Sequence, residues 1–548
     1  MESTGAPDHK GVRLPAIGGF RAVIICAVLA AAVFAAFGGA LGNGFVWDDD
    51  ELIFIDCVTR RPLDWHAIFF EPVDRLYRPL RTLTHILEFE IGGRNPALFH
   101  ATNITLHAAV CILFFLLAFR LSASLPVSVI AALLFGVHPV HAGTVGFISG
   151  GRSDLIAATF TLLSLILYLR SVEPGSGWTA YFLSLASFAL ALCAKESSAV
   201  APALIVCLAL MRRGGENTGR EWLKVGPYFL ILAGYLYFRF VLMDIGGQSS
   251  GYHGGSLTAT LLTTVTVWTT YVRDLIVPTN LCPLYAIDIQ HHFTARAAGS
   301  AAGLALLAAA SAAGLYRRRL WGVGLAWFLI ALLPVSNLVP INSLKSDRFL
   351  YLPSIGMMLA LSDLAVRLAT RISGRGRERA AAAAAMGLAV AISVWFTSIT
   401  RPAVGMWKND ETLWTGATAC AGRSWIAWTN LGIIRFEAGR VDDAIHAMKN
   451  AARFNPNAPL VYNNLADAYG IQGDYEQSLY YLERARALDS GDPEIYLKTG
   501  FALMKTGNRK AALRNLEAGL EKCRKNSTCR NRFERLIRQA SGRQDKTR

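Results

Sequence analysis

Residues 22–41 read AVIICAVLAAAVFAAFGGAL and follow Lys10, Arg13 and Arg21. A secretory h-region is only about 7–15 apolar residues long, whereas a helix needs about 20 to cross a bilayer. The Ala-Gly-rich end imitates a signal-peptidase site, but the length makes this run an uncleaved first transmembrane helix. The same texture recurs along the chain. Apolar runs end near Arg120, begin near Leu125, and return at 155–169, 178–194, 197–211, 225–243, 297–315, 320–338, 351–370 and 380–400, so that about eleven spans are expected. The 548 residues are 53% hydrophobic and 17% charged, with a mean hydropathy of +0.35, which exceeds the apolar usage of soluble chains and excludes a cytosolic enzyme.

A net charge of +15 would suit a nucleic-acid surface if it were spread evenly, but the basic residues sit in short clusters between apolar runs. They read as orientation signals, and no nucleic-acid partner is expected. Arg212, Arg213, Arg220 and Lys224 fall on one side, as do Arg317-Arg318-Arg319 and then Arg367, Arg371, Arg375, Arg377 and Arg379. The positive-inside rule makes that side cytoplasmic, with a cytoplasmic N-terminal tail at 1–18 and an outer C-terminus. Residues 257–277 are long enough to span but Thr-rich and broken by Arg273-Asp274, so they are assigned to the outer interface or a re-entrant segment.

After residue 401 the texture changes to alternating polar and apolar residues with an internal period. Gly439, Gly473 and Gly507 are 34 apart; the same step aligns Trp428, Tyr462 and Tyr496, Leu431 with Leu465, and Ala444, Ser478 and Ala512. Ala451 matches Ala485, and Gly519 takes that place in the third unit. The period and the placing of aromatic, Gly and small residues resemble tetratricopeptide repeats. The units run 425–458, 459–492 and 493–526, after a linker at 401–424. A capping helix is expected at Arg530–Ala540, within a terminal segment 527–548. Three repeats are about the minimum for a stable array, whose concave face suits a docked polypeptide; a bare structural appendage is the alternative. The nine cysteines show no C-x-x-C pair, and only Cys523 and Cys529 are placed to pair, in an oxidising compartment.

Polar residues gather in the expected outer loops. Trp47-Asp48-Asp49-Asp50-Glu51 follows the first span, and crowded carboxylates raise at least one pKa toward use as a general base, although Asp is also a common helix cap. Tyr77-Arg78-Pro79-Leu80, Asn95-Pro96, Phe99-His100, Asn103, His107 and His138-Pro139-Val140-His141 lie on the same side. Asn103 and His107 are spaced i, i+4 on one polar helix face, which interhelical hydrogen bonding also explains. His138 and His141 lack a third metal ligand at suitable spacing. Arg152-Ser153-Asp154, Lys195-Glu196 and Asp347-Arg348 each end an apolar helix with a cation and an anion. Such residues are costly near a membrane, and three cationic sites on the carboxylates' side read as phosphate binding more readily than as unrelated ion pairs.

In order along the chain, Asn43-Gly44-Phe45-Val46-Trp47-Asp48-Asp49, Tyr77-Arg78-Pro79-Leu80, Phe99-His100 with Asn103 and His107, His138-Pro139-Val140-His141, Gly151-Arg152-Ser153-Asp154-Leu155, Lys195-Glu196 and Arg348-Phe349-Leu350-Tyr351-Leu352-Pro353-Ser354 resemble the transmembrane O-mannosyltransferases with C-terminal tetratricopeptide repeats, and their bacterial relatives, in the glycosyltransferase-C superfamily. The resemblance implies an all-α membrane glycosyltransferase domain over 19–400, with a first outer loop at 42–96. It also implies a polyprenyl-phosphate-linked sugar donor and a periplasmic or lumenal active site, in a bacterial inner membrane or the endoplasmic reticulum. The superfamily's acidic pair maps onto Asp48 and Asp49, and its lipid-phosphate contacts onto Arg152, Lys195 and Arg348. Tyr77, Arg78, His100, Asn103, His107, His138, His141, Asp154, Glu196 and Tyr351 would bind substrate or support the site. Gly143 stands where the family's pattern usually has Glu, Gly150-Gly151 looks one residue longer than usual, and Asp347 replaces a common Glu.

The implied reaction moves a sugar, mannose in this family, to a hydroxyl of a protein acceptor docked on the repeats. One of Asp48 and Asp49 acts as base, and the cations stabilise the departing phosphate. The superfamily includes metal-dependent and metal-independent members, and no metal site is assigned. Two other readings stay open: transfer to a glycolipid or polysaccharide, and a membrane-anchored repeat scaffold without activity.

Overall fold

The computed structural model describes residues 18–55, 63–72, 76–212, 218–245, 251–374, 376–523 and 526–541. The expected cytoplasmic tail, apart from Gly18, lies outside the described residues, as do Arg213, Arg375 and the terminal residues 542–548. The chain divides into two compact units, residues 1–283 with 287–409, and residues 284–286 with 410–548.

The first unit is all helical. In order it contains α1 (Gly19–Phe37), α2 (Trp65–Phe70), α3 (Pro79–Gly92), α4 (Pro96–Ser122), α5 (Leu125–Gly136), α6 (Ala142–Gly146), α7 (Ile148–Ser171), α8 (Trp178–Ala194), α9 (Ala201–Arg212), α10 (Thr218–Leu223), α11 (Gly226–Tyr237), α12 (Leu257–Ile276), α13 (Ala295–Tyr316), α14 (Leu320–Ala331), α15 (Tyr351–Ser373) and α16 (Glu378–Gly405). Local signals set several boundaries. The Asn95 side chain accepts the Ala97 N–H at 3.2 Å, and Pro96, whose missing N–H costs nothing at the first position, starts α4.

Among the described residues seven helices are long and apolar enough to cross a membrane: Gly19–Gly42, Pro96–Ser122, Ile148–Ser171, Glu221–Leu242, Ala295–Tyr316, Asp347–Ser373 and Glu378–Gly405. Leu125–Gly136 with Pro139–Gly146, bent by 47°, would be an eighth. The expected count of eleven is therefore not sustained. The runs 178–194 and 320–338 form the shorter helices Trp178–Ala194 and Leu320–Val335, and the run at 197–211 spends its first residues in a tight turn before the 12-residue α9. The run 178–194 is helical throughout but only 17 residues long, apolar composition carried the other two beyond their regular helix, and the charge-based orientation that rested on the count loses its footing. Residues 257–277 do form a helix, α12. Its threonines turn inward and hydrogen-bond helix carbonyls, Thr263 to Ala259 at 2.7 Å and Thr266 to Thr263 at 2.8 Å, which lets a polar helix bury one face.

The core of this unit packs Phe114, Phe135, Trp327 and Tyr351 with the aliphatic faces of α1, α4, α5, α7, α14 and α15. Trp327 is fully enclosed because its indole N–H donates to the Leu352 carbonyl at 3.0 Å.

The second unit begins with α17 (Asp410–Cys420) and continues as three helix pairs: α18 (Trp425–Glu437) with α19 (Val441–Phe454), α20 (Pro459–Gln472) with α21 (Tyr475–Leu488), and α22 (Pro493–Lys505) with α23 (Arg509–Lys522). Each pair turns at its periodic glycine. Gly439, Gly473 and Gly507 have φ of +74°, +81° and +82°, a region that a side chain disfavours. The cap, α24, starts at Ser527, three residues earlier than expected, and ends at Ala540. Gly519 breaks the repeat pattern for a packing reason: a methyl there would collide with Phe533, the buried anchor of the cap. Cys523 and Cys529 are joined in a disulfide, as their spacing suggested.

Candidate active site

The acidic loop leaves the first apolar helix at Asn43 and turns at Trp47, whose φ of +58° is uncommon for a bulky residue. The two aspartates that follow have opposite surroundings. Asp49 is fully buried, accepting the Val46 N–H on Oδ2 at 3.0 Å and the Ser149 N–H on Oδ1 at 2.8 Å. Ser149 lies in the first turn of α7, where unsatisfied donors and the helix dipole favour an anion. Burial works against that and prevails, lifting the Asp49 carboxyl to about 7. Asp48 is exposed. One aspartate therefore ties the loop to α7, and the other is solvent-exposed.

Arg348 stands half-buried beside this loop. Its guanidinium lies 5.0 Å over the ring of Phe147, and it feels the charges of Asp154, Arg78, Asp48 and Asp49. It forms no ion pair among the described residues. Gly150 makes room for it, because a methyl there would overlap both the Arg348 guanidinium and the Phe147 ring; at Gly151 one would overlap the Thr144 backbone. The Gly-Gly step thus lets α7 approach Arg348 and α6 closely.

Lys195 Nζ donates to Asp154 Oδ1 at 2.6 Å, and burial lowers its ammonium pKa. Glu196 accepts from Arg78 at 3.1 Å and lies 3.5 Å from Arg239. Burial alone would raise its carboxyl, but the two guanidiniums outweigh that and hold it at about 2. The charges of Arg78, Lys195, Asp154 and Arg348 act on one another, so the structure brings these expected residues into one cluster.

Arg152 is placed elsewhere. It is completely buried, with Nε donating to Asn103 Oδ1 at 2.6 Å, Nη1 to Glu88 Oε2 at 2.7 Å and Thr84 Oγ1 at 3.3 Å, and Nη2 to the Phe99 carbonyl at 2.9 Å. Its donors are committed to α3 and α4, and its partner is Glu88 rather than the neighbouring Asp154.

The remaining expected residues are buried between the helices. Asn103 also donates to the Val145 carbonyl, and His107 bridges the Tyr351 hydroxyl at 2.7 Å and the Gly136 carbonyl at 3.1 Å. His100 meets the Gly44 carbonyl at 3.3 Å, and His138 joins the Leu275 carbonyl to the Val140 N–H. His141 is buried among His107, Phe135 and Tyr351. Among the described residues no three His, Cys, Asp or Glu side chains converge as metal ligands.

Tyr77 is buried at the edge of an apolar groove of about 640 Å³ between α2, α8 and α11, lined also by Phe70, Leu192, Cys193, Ile231 and Phe238. Cations adjoin the groove: Arg239 donates to the hydroxyl of Tyr235, a lining residue, at 3.1 Å, and shares Glu196 with Arg78.

Sequence reasoning missed Glu88 and Arg239. Arg81, His85 and Glu88, all buried, are spaced i, i+4, i+7 on α3, a polar inward face that helical periodicity could have revealed. Arg239 lay inside an apolar run, a signal in itself. The pair of Asp274 with Lys345, at 2.7 Å, was seen only as an interruption of a span.

Acidic loop, basic cluster and apolar groove on a polytopic helical unit, followed by helical repeats, define a membrane-glycosyltransferase-like protein. The sequence relatives are of that class. The tetratricopeptide repeat family matches residues 460–491. Protein O-mannosyl-transferase TMTC4 of Homo sapiens is 28% identical over 409 residues, 61% of this chain and 54% of that protein. Protein O-mannosyl-transferase F38B6.6 of Caenorhabditis elegans is 22% identical over 440 residues, 76% of this chain and 61% of its own length. The chain thus spans little more than half the length of these relatives. They are animal proteins and lend no support to the expectation of a bacterial relative. The archaeal oligosaccharyltransferase AglB from Archaeoglobus fulgidus, solved with an inhibitory peptide and a dolichol-phosphate, aligns over 71% of this chain and 56% of its own at 14% identity, with a TM-score of 0.42.

Proposed function

We propose that the chain transfers a sugar, mannose in the first instance, from a polyprenyl-phosphate donor to a hydroxyl of a protein acceptor on the periplasmic or lumenal side of its membrane. The observation that carries this reading is the groove of about 640 Å³ lined by Tyr235, whose hydroxyl accepts from Arg239 at 3.1 Å, with Arg78 paired to the same Glu196 as Arg239. Its volume is that of a small-molecule site, its walls are aromatic and aliphatic, and cations adjoin it, which matches an isoprenoid phosphate. Lys195 and Arg348 belong to the same charged cluster. The disulfide in the repeat unit supports an oxidising compartment for that unit.

In the proposed reaction the acceptor oxygen attacks the anomeric carbon of the sugar and the bond from that carbon to the phosphate oxygen breaks. The polyprenyl phosphate departs with the electron pair, and the acceptor's proton passes to Asp48. Arg348 and Lys195 stabilise the charge that develops on the phosphate, an effect strongest where water is scarce. Asp48, being exposed, is the base of the pair; Asp49 and Arg152 hold the elements around it. Tyr77 lines the groove for the lipid, and Arg78 is one of the cations that adjoin it. Glu196 and Asp154 keep the cations in place, and His100, Asn103, His107, His138, His141 and Tyr351 brace the helices. Such a step is a single inverting displacement. The repeats dock the acceptor polypeptide.

The purified protein in nanodiscs, given radiolabelled polyprenyl-phosphate-mannose, should label a protein acceptor. Asp48→Asn should abolish transfer while donor binding persists. Label appearing only in extracted glycolipid would redirect the acceptor, and no transfer to any acceptor with tight donor binding would favour a scaffold.

A further inference from the structure

The acidic loop is gripped by a segment far from it in sequence. The Asn43 side chain donates to the Val404 carbonyl at 3.1 Å across 361 residues, and the Gly44 N–H donates to the Lys408 carbonyl at 2.8 Å. Val404 lies in the last turn of α16 and Lys408 three residues beyond its end, so the two bonds pin the loop to the chain that leaves this helix. Between them Trp407 is 4% exposed. Its indole rests on a floor without side chains: a methyl at Gly143 or Gly146 would come within 3.2 Å of the ring. Trp407 lies nearly parallel to Phe147, with centroids 5.2 Å apart at 18°, and to Trp47, 6.5 Å apart at 12°; Trp47 stacks on Phe147 at 5.6 Å and 13°.

Those three rings link the acidic loop to Arg348 and to the start of α7. Trp47 directly precedes Asp48, Phe147 lies under Arg348, and Ser149, two residues beyond Phe147, holds Asp49. Trp47 occupies a left-handed conformation that costs free energy and persists only where its surroundings enforce it. The stack and the two hydrogen bonds are those surroundings. Two residues past Trp407 the first unit ends, at Asn409, and the chain runs into the repeat-bearing unit.

We infer that Trp407 is a positioning residue: together with the carbonyls of Val404 and Lys408 it fixes the acidic loop at 43–49 and thereby sets where Asp48 stands, so that the chain entering the repeats also orders the reaction site. The inference rests on the reading of Asp48 as base for its catalytic consequence, and on geometry alone for the ordering of the loop. A side chain that merely filled space could be replaced by another apolar one; a stacking partner could be replaced only by an aromatic.

The test uses the full chain in nanodiscs with Trp407→Phe, Trp407→Leu and Asn43→Ala. Hydrogen–deuterium exchange is followed in peptides covering 43–54, with peptides from α4 as the internal standard. In the Leu and Ala variants exchange at 43–54 should rise about tenfold while α4 stays as in the wild type, and in the Phe variant it should stay near wild type. With transfer as readout, Trp407→Leu should lower kcat about 100-fold with donor KM little changed, and Trp407→Phe should restore most of it. Unchanged exchange at 43–54 in both the Leu and Ala variants overturns the inference, as does an equal rise in α4, which would mean general loosening. The exchange arm needs no turnover. A chain that transfers no sugar but loosens selectively at 43–54 would sink the transferase reading and keep the loop ordering. A loosened loop with wild-type kcat would sink the positioning role.

Discussion

Asp49→Asn separates the buried aspartate's part in stability from any part in chemistry. The Asp49 carboxyl stands at about 7 in the folded protein against an ordinary 3.8, because burial outweighs its two backbone donors. The folded state therefore binds the proton more tightly than the unfolded state. Stability from this group is complete below pH 3.8 and is lost as pH rises through about 7. Linkage puts the loss between about pH 5 and pH 7.5 at roughly 2.5 kcal/mol, since each unit of separation is worth about 1.4 kcal/mol. The asparagine variant has no proton to release and should lack this slope. Heat denaturation of the detergent-solubilised protein across that range should show the wild-type midpoint falling by a few degrees more than the variant's. Asp48→Asn, which removes only a lesser like charge, should keep nearly the full slope. Parallel pH trends in the wild type and Asp49→Asn would refute the argument and place the Asp49 carboxylate in a far wetter setting than its two hydrogen bonds describe.

Other outcomes follow from the same geometry. Arg152→Met or Glu88→Gln strands a buried charge and should each cost about 3–5 kcal/mol, whereas the double variant Arg152→Met with Glu88→Met should recover much of that, measured by denaturation midpoints. Gly234 lines the apolar groove with open space beyond it, so Gly234→Phe should weaken binding of a fluorescent polyprenyl phosphate without lowering the denaturation midpoint; undiminished binding would move the lipid elsewhere. Deleting 425–548 should raise the apparent KM for a protein acceptor and change little for a short peptide, and an equal loss with both would end the docking role of the repeats.

Both halves of the architecture could be read from the sequence, for different reasons. The repeats were legible residue by residue because each periodic position has one packing duty: the turn glycines need positive φ, and the small residues let paired helices close. The membrane helices were legible as elements but not as a count, since composition marks where apolar chain lies and not where its backbone stops being helical. At the site, the residues near Asp48 were found, and the partnerships were not. Arg152 and Asp154 are only two residues apart in sequence, yet one belongs to Glu88 on α3 and the other to Lys195, because residues i and i+2 lie on nearly opposite sides of a helix, about 200° apart. The roles of Asp48 and Asp49 could not be told apart either. Their difference depends on the Ser149 N–H, a backbone group 100 residues away that no residue pattern advertises.

The sharing of carboxylates around the groove has an electrostatic consequence. Arg78, Arg239, Lys195 and Arg348 are balanced by Glu196, Asp154 and the carboxylate of Asp48, which with Asp49 in its protonated form leaves 4 − 3 = 1 positive charge in excess. In a place with little water such an imbalance calls for a counter-ion of matching valence. A sugar-phosphate-lipid diester carries one negative charge, whereas the lipid monophosphate left after transfer carries close to two at neutral pH. The diester neutralises the cluster and the monoester overshoots it, so charge balance favours holding the molecule before the sugar leaves and shedding it afterwards. A non-hydrolysable diester should accordingly compete for the groove better than a monophosphate with the same chain, and Glu196→Gln should reverse that order.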